Sequence, residues 1–545
     1  MSGRVCCIGV DFGTESGRVL VLDVRTGEQL AVSVVAYPSA VIDRELPGTG
    51  AALPADWALQ DPDDWVLVLE RGIPAAVRDA GIDAGEVAGI GFDFTSCTVL
   101  PVTADGTPLC TLAQWREHPH AWPKLWKHHA AQPVADRLNE VAIERGEEFL
   151  SRYGGRISSE WYFPKLIELW NEDRAVYDAA DRFIEATDWI AWHLTGTECR
   201  QECAAGYKAM WSPDDGLPSV DYFRAAYPGF DHPAEKLGER FVALGTRAGT
   251  LQAQHAPTLG LDETVAVAVG NVDSFATVPG AGVERPATMT MVIGTSICQM
   301  VVNTEEVRLP GITGVVRDGI LPGWYGYEAG QAAVGDMLAW FVRRTLGEGE
   351  DAFGRLEEQA AELAPGATGL LALDWFNGNR SILGDADLSG AIVGLTLRTS
   401  PIEIYRALLE SIAFGTRRIL DNFAEHGIAL DQLVACGGIA DKSPLTMQLL
   451  ADVTGRPVHV PAATEIPARG AALYAAVAAG VHGDIVEAIA ATRPATARSY
   501  DPDGAATAVY DRVYAIYREL YDTLGRSQSQ WLHGLKRIQA QSAAA

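Results

Sequence analysis

A chain of 545 residues exceeds one ordinary domain, and two or three are expected. Hydrophobic residues make up 48% of it, enough for large cores, and 43 basic against 71 acidic residues leave a net charge of -28. Such a surface repels phosphate backbones and anionic lipid and argues against nucleic-acid and membrane-surface roles, while leaving room for a small ligand in a locally basic site.

Residues 5–23 open with an apolar, β-branched run ending in Asp11, then a Gly/Thr/Ser-rich turn, Arg18 and a second apolar run, which predicts strand, turn, strand. Gly13 and Gly17 permit a tight turn with close backbone approach to a ligand. Backbone N–H groups with Thr14, Ser16 and Arg18 make a cradle for anionic oxygens, and Asp11 at the strand end is placed to hold a divalent cation, so a Mg–nucleotide is the natural occupant. The stretch is neither a P-loop nor a Rossmann turn, both of which lead into a helix. A strand–turn–strand phosphate hairpin resembles the actin-like ATPase fold; an ordinary Gly-rich hairpin is the plain alternative.

Further strands are predicted at 30–35, 88–94, 265–269, 289–293, 298–302, 369–373, 433–436 and 457–460. Helices are predicted at 61–80, 122–145, 164–173, 330–346, 351–364, 401–426, 444–454, 466–479 and 507–524, an α/β mixture throughout. Within 122–145, His128 and His129 with His118 and His120 nearby suggest a metal, but the spacing fits no zinc pattern and no cysteine pair accompanies it. Trp115, Trp122 and Trp126 read most simply as core. Asp273 follows the apolar run 265–269 and a Gly-Asn turn, so it emerges at a strand end as either a general base or a helix N-cap. Residues 289–302 repeat the layout of 5–23 half a chain later, which implies two lobes whose hairpins face a shared cleft, divided in the Gly/Pro-rich stretch 279–286. Ser400, Pro401 and Glu403 form a capping box with proline at the first helical position; Leu408, Ile412, Ile419 and Phe423 give that helix a core face, and Gly427 stops it. The Ala-rich C-terminal end is expected to fray.

Eight cysteines are scattered without any C-x-x-C, several of them in apolar strand-like runs. The N-terminus leads straight into a core strand without a signal-peptide pattern, and no long uncharged apolar segment occurs, so a cytoplasmic protein is expected.

Several segments together resemble the FGGY carbohydrate kinases, from about residue 4 to about residue 485. DFGTESGR (11–18) is similar to that family's first phosphate motif, IGTS (293–296) to its second and CGGIADKSPLTMQLLADVTGRPV (436–458) to its adenosine loop, and the stretch from Gly390 to Glu410 fits its C-terminal signature. SSEW (158–161), CAAGYKAMW (203–211), GNVDS (270–274), YEAGQAAVGDMLAWF (327–341) and WFNGNRS (375–381) resemble the branch of the family that phosphorylates L-ribulose. Where the family's adenosine loop has Lys-Asn, this chain reads Lys442-Ser443, leaving a serine hydroxyl for the nucleotide contact.

The resemblance implies a two-lobed actin-like ATPase fold (ribonuclease H-like, α/β) with a central interdomain cleft. Residues 1–284 would carry sugar binding, the first hairpin and the catalytic aspartate. Residues 285–545 would carry nucleotide binding, the second hairpin, the adenosine loop and the C-terminal helices. It implies Asp273 as the base, also near the metal, and Asp11 as the Mg2+ ligand. ATP contacts fall to Gly13, Thr14, Ser16, Arg18, Gly294, Thr295, Ser296, Gly335, Gly437, Gly438 and Ser443, and the sugar to Asp93, Ser96, Trp126, Lys208, Glu328 and Asp273. The implied activity is ATP-dependent phosphorylation of L-ribulose to L-ribulose 5-phosphate in L-arabinose catabolism. D-ribulose or another pentulose or pentitol is the alternative acceptor, and a non-kinase actin-like ATPase module the alternative from another class. ATP and a ketose are the expected partners, and the oligomeric state is left open, a homodimer included.

Overall fold

The computed structural model describes residues 4–543. Cys6–Phe12 (β1) and Ser16–Asp23 (β2) pair antiparallel about the first turn, Gln29–Ala36 (β3) continues on β2, and Val87–Phe94 (β4) lies parallel to β1. Arg247–Thr250 (β5), Ala266–Ala268 (β6) and Asn271–Val272 (β7) complete a seven-stranded sheet of order β3-β2-β1-β4-β6-β5, with β7 paired to the end of β4.

A second seven-stranded sheet repeats the plan. Thr288–Ile293 (β8) and Ile297–Asn303 (β9) form the hairpin, followed by Gly314–Arg317 (β10), Tyr325–Gln331 (β11), Gln432–Cys436 (β12), Val458–Pro461 (β13) and Thr496–Tyr500 (β14). Its order is β10-β11-β9-β8-β12-β13-β14. In both sheets an antiparallel hairpin is extended by a parallel strand beside its first member. The fold is the two-lobed α/β arrangement of actin-like ATPases.

The helices that bear on the cleft are Tyr162–Glu172 (α1), Glu202–Lys208 (α2), Asp273–Gly280 (α3), Gly335–Ala339 (α4), Pro401–Glu425 (α5), Gly438–Lys442 (α6), Pro444–Thr454 (α7) and Ile466–Ala478 (α8). The capping box forms at α5: Ser400 Oγ accepts from Glu403 N at 3.3 Å and Ser400 N donates to Glu403 Oε2 at 2.6 Å. Helix α8 packs on β1, β4 and α3, so close to α3 that a side chain at Gly470 would meet the Ala276 carbonyl at 1.8 Å. This contact ties a helix late in the chain to the first sheet. Residues 504–522 dock on α5 through Tyr510, which donates to Glu410 at 2.8 Å, and Tyr514, which donates to Asp421 at 2.6 Å.

The elements differ from the sequence expectations in several places, including strands Arg247–Thr250 and Gly314–Arg317 and helix Ala186–Thr195, none of them anticipated. Residues 122–131 are irregular, and the helix begins at Gln132 with Pro133 in its first turn; the Lys124 backbone instead pairs with Val99, donating at 2.8 Å and accepting at 3.1 Å. Residues 325–331, partly assigned to a helix, are strand β11, because Glu328 and its neighbours pair with both β9 and β10. Strands at 99–102, 182–185 and 496–500 carried no clear alternation and were not anticipated. Gln530–Ala543 is helical, a helix not anticipated, and residues 544–545 of the Ala-rich end lie outside the described residues. Among the described residues no helix is long and apolar enough to cross a membrane.

Candidate active site

Three aspartates emerge from three adjacent strand ends. Asp11 near the end of β1 is in register with Asp93 on β4, and Asp93 in turn with Asn271 on β7, two residues before Asp273. Carboxyl ends of parallel strands are where an open α/β sheet leaves room for a ligand. Asp273 is the first residue of α3, with Val272 at the cap position and no side-chain cap; its Oδ1 accepts from Ser274 N at 2.6 Å. The N-cap alternative for Asp273 is therefore corrected: its carboxyl does not close the first turn.

Burial, and then the neighbouring Asp11 charge, push the Asp273 carboxyl up to about 7. Asp93 is fully buried, and among the described residues neither of its carboxylate oxygens meets a hydrogen-bond donor. Burial raises it well above the usual carboxylate range, reinforced by the charges of Asp11 and Asp273. Burial also raises Asp11, against the pull of Arg18. Burial thus raises both Asp11 and Asp93, and each carboxylate charge further disfavours ionisation of the other beside it.

The two hairpins present matching tips. Gly13 N donates to Ser16 O at 3.0 Å, and Gly294 N to Ser296 O at 2.9 Å, so Thr14 and Thr295 occupy corresponding positions in the turns. Thr14 is fixed from outside the hairpin: Trp126 Nε1 donates to its hydroxyl at 3.1 Å and Gln60 Nε2 to its carbonyl at 2.8 Å. Arg18 lies 3.6 Å from Asp11 and 3.2 Å from Glu465, the residue that precedes α8. Thr295 O accepts from Val334 N at 2.8 Å, and Gly294 O from Gly335 N at 3.1 Å. A side chain at Gly335 would meet Gly294 O at 2.7 Å, so α4 starts against the second hairpin only because residue 335 has none. Gly437 has φ +94° and lies equally close to Ile293, whereas Gly294 and Gly438 face open space. That space, with backbone on both sides, fits a nucleotide laid flat. Ser443 caps α7, its Oγ accepting from Thr446 N at 3.3 Å, and is buried.

On the other side of Asp273, Lys208 ends α2 and Glu328 lies on β11. Lys208 Nζ donates to Glu328 Oε2 at 2.9 Å, and both are more than nine-tenths buried. The surface-charge alternative for these two is corrected accordingly. Both bear on the Asp273 carboxyl. Ser96 is partly exposed in the loop after β4, next to Cys97 with φ +57°. Lys165 on α1 fixes that loop by donating to Cys97 O at 2.7 Å and to Leu125 O at 2.9 Å.

The histidines near residue 120 each meet a carboxylate: His118 with Asp173 at 2.7 Å, His120 with Glu172 at 3.2 Å, and buried His128 with Glu168 at 3.0 Å. Lys124 pairs with the same Glu168 carboxylate. Gln60, Glu465, Glu160 and Arg380 were not singled out from sequence. For the last two the quoted segments SSEW and WFNGNRS were the available signal; for the first two there was none.

Among the described residues no three His, Cys, Asp or Glu side chains form a ready-made metal cage. The aspartates nonetheless fit Mg2+, which binds through one or two carboxylates and completes its shell with water and substrate phosphates. Asp93, buried with both oxygens lacking a donor, is the specific mark of that fit.

The N-terminal domain of the FGGY family of carbohydrate kinases matches residues 6–280, and its C-terminal domain matches residues 289–479. A ribulokinase of Anoxybacillus flavithermus is 48% identical over 548 residues, covering 98% of this chain and 97% of its own. One of Mycolicibacterium smegmatis is 45% identical, covering 95% and 94%. Among solved structures, a xylulose kinase from Rhodospirillum rubrum (24% identity, TM-score 0.79, 96% of this chain and 99% of that one) shares the fold. So does a Plasmodium falciparum glycerol kinase with ADP (15%, TM-score 0.78, 96% and 98%). Both halves of the family, in order, cover most of a chain whose paired hairpins and strand-end aspartates have the layout of a phosphoryl-transfer cleft, and the chain belongs to the FGGY family of carbohydrate kinases.

Proposed function

We propose that the chain transfers the γ-phosphoryl group of ATP to the 5-hydroxyl of L-ribulose, giving ADP and L-ribulose 5-phosphate, a step of L-arabinose catabolism in the cytoplasm. The relatives named above support the acceptor, and the buried Lys208–Glu328 pair beside Asp273 is the observation that carries the reading. A polyhydroxylated acceptor calls for charged donors and acceptors, since an apolar pocket discriminates hydroxyl patterns poorly.

In this reading Asp273 accepts the proton of the attacking hydroxyl, and a carboxyl near 7 is poised for that at neutral pH. Lys208 donates to sugar oxygens and Glu328 accepts from sugar hydroxyls, with Ser96, Asp93 and Trp126 along the wall. Thr14, Ser16 and Arg18 from one hairpin and Gly294, Thr295 and Ser296 from the other take the phosphates. Gly335, Gly437 and Gly438 bound the adenosine, with Ser443 behind them. Asp11, with Asp93 and Asp273 beside it, would hold Mg2+, which when bound neutralises charge on the transferring group. Division into lobes at 284/285 puts the base and the first hairpin in one and the second hairpin and adenosine loop in the other, and closure between them excludes water.

A panel of L-ribulose, D-ribulose, D-xylulose, ribitol and glycerol with coupled ADP detection tests this. L-Ribulose should give the highest kcat/KM. Parity with D-xylulose or glycerol would defeat the assignment, and ADP release without any sugar would favour an ATPase.

A further inference from the structure

Cys298 on β9 is opposite Gly330 on β11, and Met300 is opposite Glu328, so Cys298, Gly330 and Glu328 lie on one face of the second sheet. Residue 330 has no side chain, and the stem of Arg380 lies over that gap: a Cβ at Gly330 would be 3.5 Å from Arg380 Cδ and 3.6 Å from Nη1. The guanidinium lies against the Cys298 sulfur in a partly buried position, with Glu160 and Glu328 as the acids that favour its charge against the cost of burial. Among the described residues no carboxylate comes within the 4.0 Å of an ion pair with it.

The loop that carries Arg380 is fixed. Asn379 N donates to Asp385 O at 2.8 Å, Asp385 N returns to Asn379 O at 2.9 Å, and Asn379 Oδ1 accepts from Leu383 N at 2.9 Å. The next residue, Ser381, accepts from Gly330 N at 3.1 Å. A five-donor fork is therefore held beside the Lys208–Glu328 pair, partly open to the cleft and with no carboxylate partner among the described residues.

We propose that Arg380 is a further substrate-binding residue, its guanidinium donating to acceptor oxygens of the bound ketose along the wall that Glu328 and Lys208 form. This rests on the sugar-kinase reading above. A guanidinium is donor-only, and an open-chain ketose offers a carbonyl oxygen, which is acceptor-only, next to a hydroxyl; two such oxygens match the fork bidentately.

The test compares wild type, Arg380→Met and Arg380→Lys. KM for L-ribulose and for ATP is measured for each, together with the thermal shift given by L-ribulose alone and by MgADP alone. Arg380→Met should raise the KM for L-ribulose about 10- to 100-fold and abolish the sugar's thermal shift, with the ATP KM and the MgADP shift within about twofold of wild type. Arg380→Lys keeps the charge but not the fork and should remain at least about fivefold above wild type. A sugar KM within about twofold of wild type overturns the proposal, as does an equal rise in both KM values. If Arg380→Met does not fold, the lysine variant decides by the same criteria. If wild type prefers another acceptor to L-ribulose, the acceptor assignment fails, and the same comparison made with the preferred sugar still decides the role of Arg380.

Discussion

Lys208 Nζ and Glu328 Oε2 meet at 2.9 Å although the two residues come from different halves of the chain, one from the end of α2 and the other from the middle of β11. Each is the other's charge partner in a buried setting. The sugar wall therefore depends on the two halves being packed together.

Removing one member should strand the other. Lys208→Met or Glu328→Gln alone should cost about 3–5 kcal/mol of stability, the range for breaking a buried pair. The double variant should recover much of that without recovering activity, because the groups proposed to bind sugar hydroxyls are gone. Urea unfolding of the three variants with parallel kinetics checks this. Additive losses in the double variant would show that the two charges are not coupled.

Asp273→Asn should lower kcat by about 10²- to 10⁴-fold, the usual contribution of a general base. Stability should hold or rise, because the carboxyl is raised by burial and by Asp11 and its loss relieves that repulsion. Single-turnover kinetics with a melting curve separate the two effects, and near-normal turnover would remove Asp273 from the mechanism.

The pH profile follows from the same group. The base acts when ionised, so kcat/KM should rise about tenfold per pH unit below about 7 and level off above it. Stability moves the other way. Asp11, Asp93 and Asp273 are all raised on folding, so their contribution is complete below the ordinary carboxylate range and is lost as pH rises through their folded values. A cation bound among them offsets that loss. The thermal shift produced by MgADP should thus be larger at pH 8 than at pH 6, and a pH-independent shift would place the cation away from these carboxylates.

Much of this cleft was legible because local chemistry announced it. Residues 11–18 and 293–296 carry Gly, Thr and Ser at turn positions between apolar runs, and turn chemistry depends on near neighbours. Asp273 was found because it follows a short apolar strand. What sequence could not give was pairing across long separations. Nothing near Lys208 indicates that its partner is residue 328, and nothing near Thr14 points to Gln60. The region 122–131 was misjudged for a related reason: its apolar spacing suits a helix, but the Lys124 backbone is taken up by Val99. Tertiary pairing overrode local preference there, and it did so again at β11, where a Gly-containing segment is strand only because partners lie on both sides.

The buried group around Glu168 gives a prediction independent of catalysis. His128 Nδ1 accepts from Ala58 N at 3.3 Å, so its other nitrogen carries the proton and donates to Glu168, whose carboxylate also takes Lys124. Burial pushes His128 down to about 4, against an ordinary value near 6.5. Burial opposes the Glu168 charge, but Lys124 and His128 outweigh it and hold the carboxyl well below its ordinary range. A histidine depressed on folding contributes stability that is complete above its unfolded value and is lost as pH falls through its folded one. His128 alone should therefore cost about 3 kcal/mol between pH 6.5 and 4, from about 1.4 kcal/mol per pH unit. Glu168 remains ionised across that window and adds its loss only at lower pH. In urea unfolding at a series of pH values, His128→Gln should flatten the fall in stability between pH 6.5 and 4 relative to wild type. Parallel curves over that range would mean that His128 is not depressed on folding, and the neutral tautomer inferred from its contacts with Ala58 and Glu168 would be wrong.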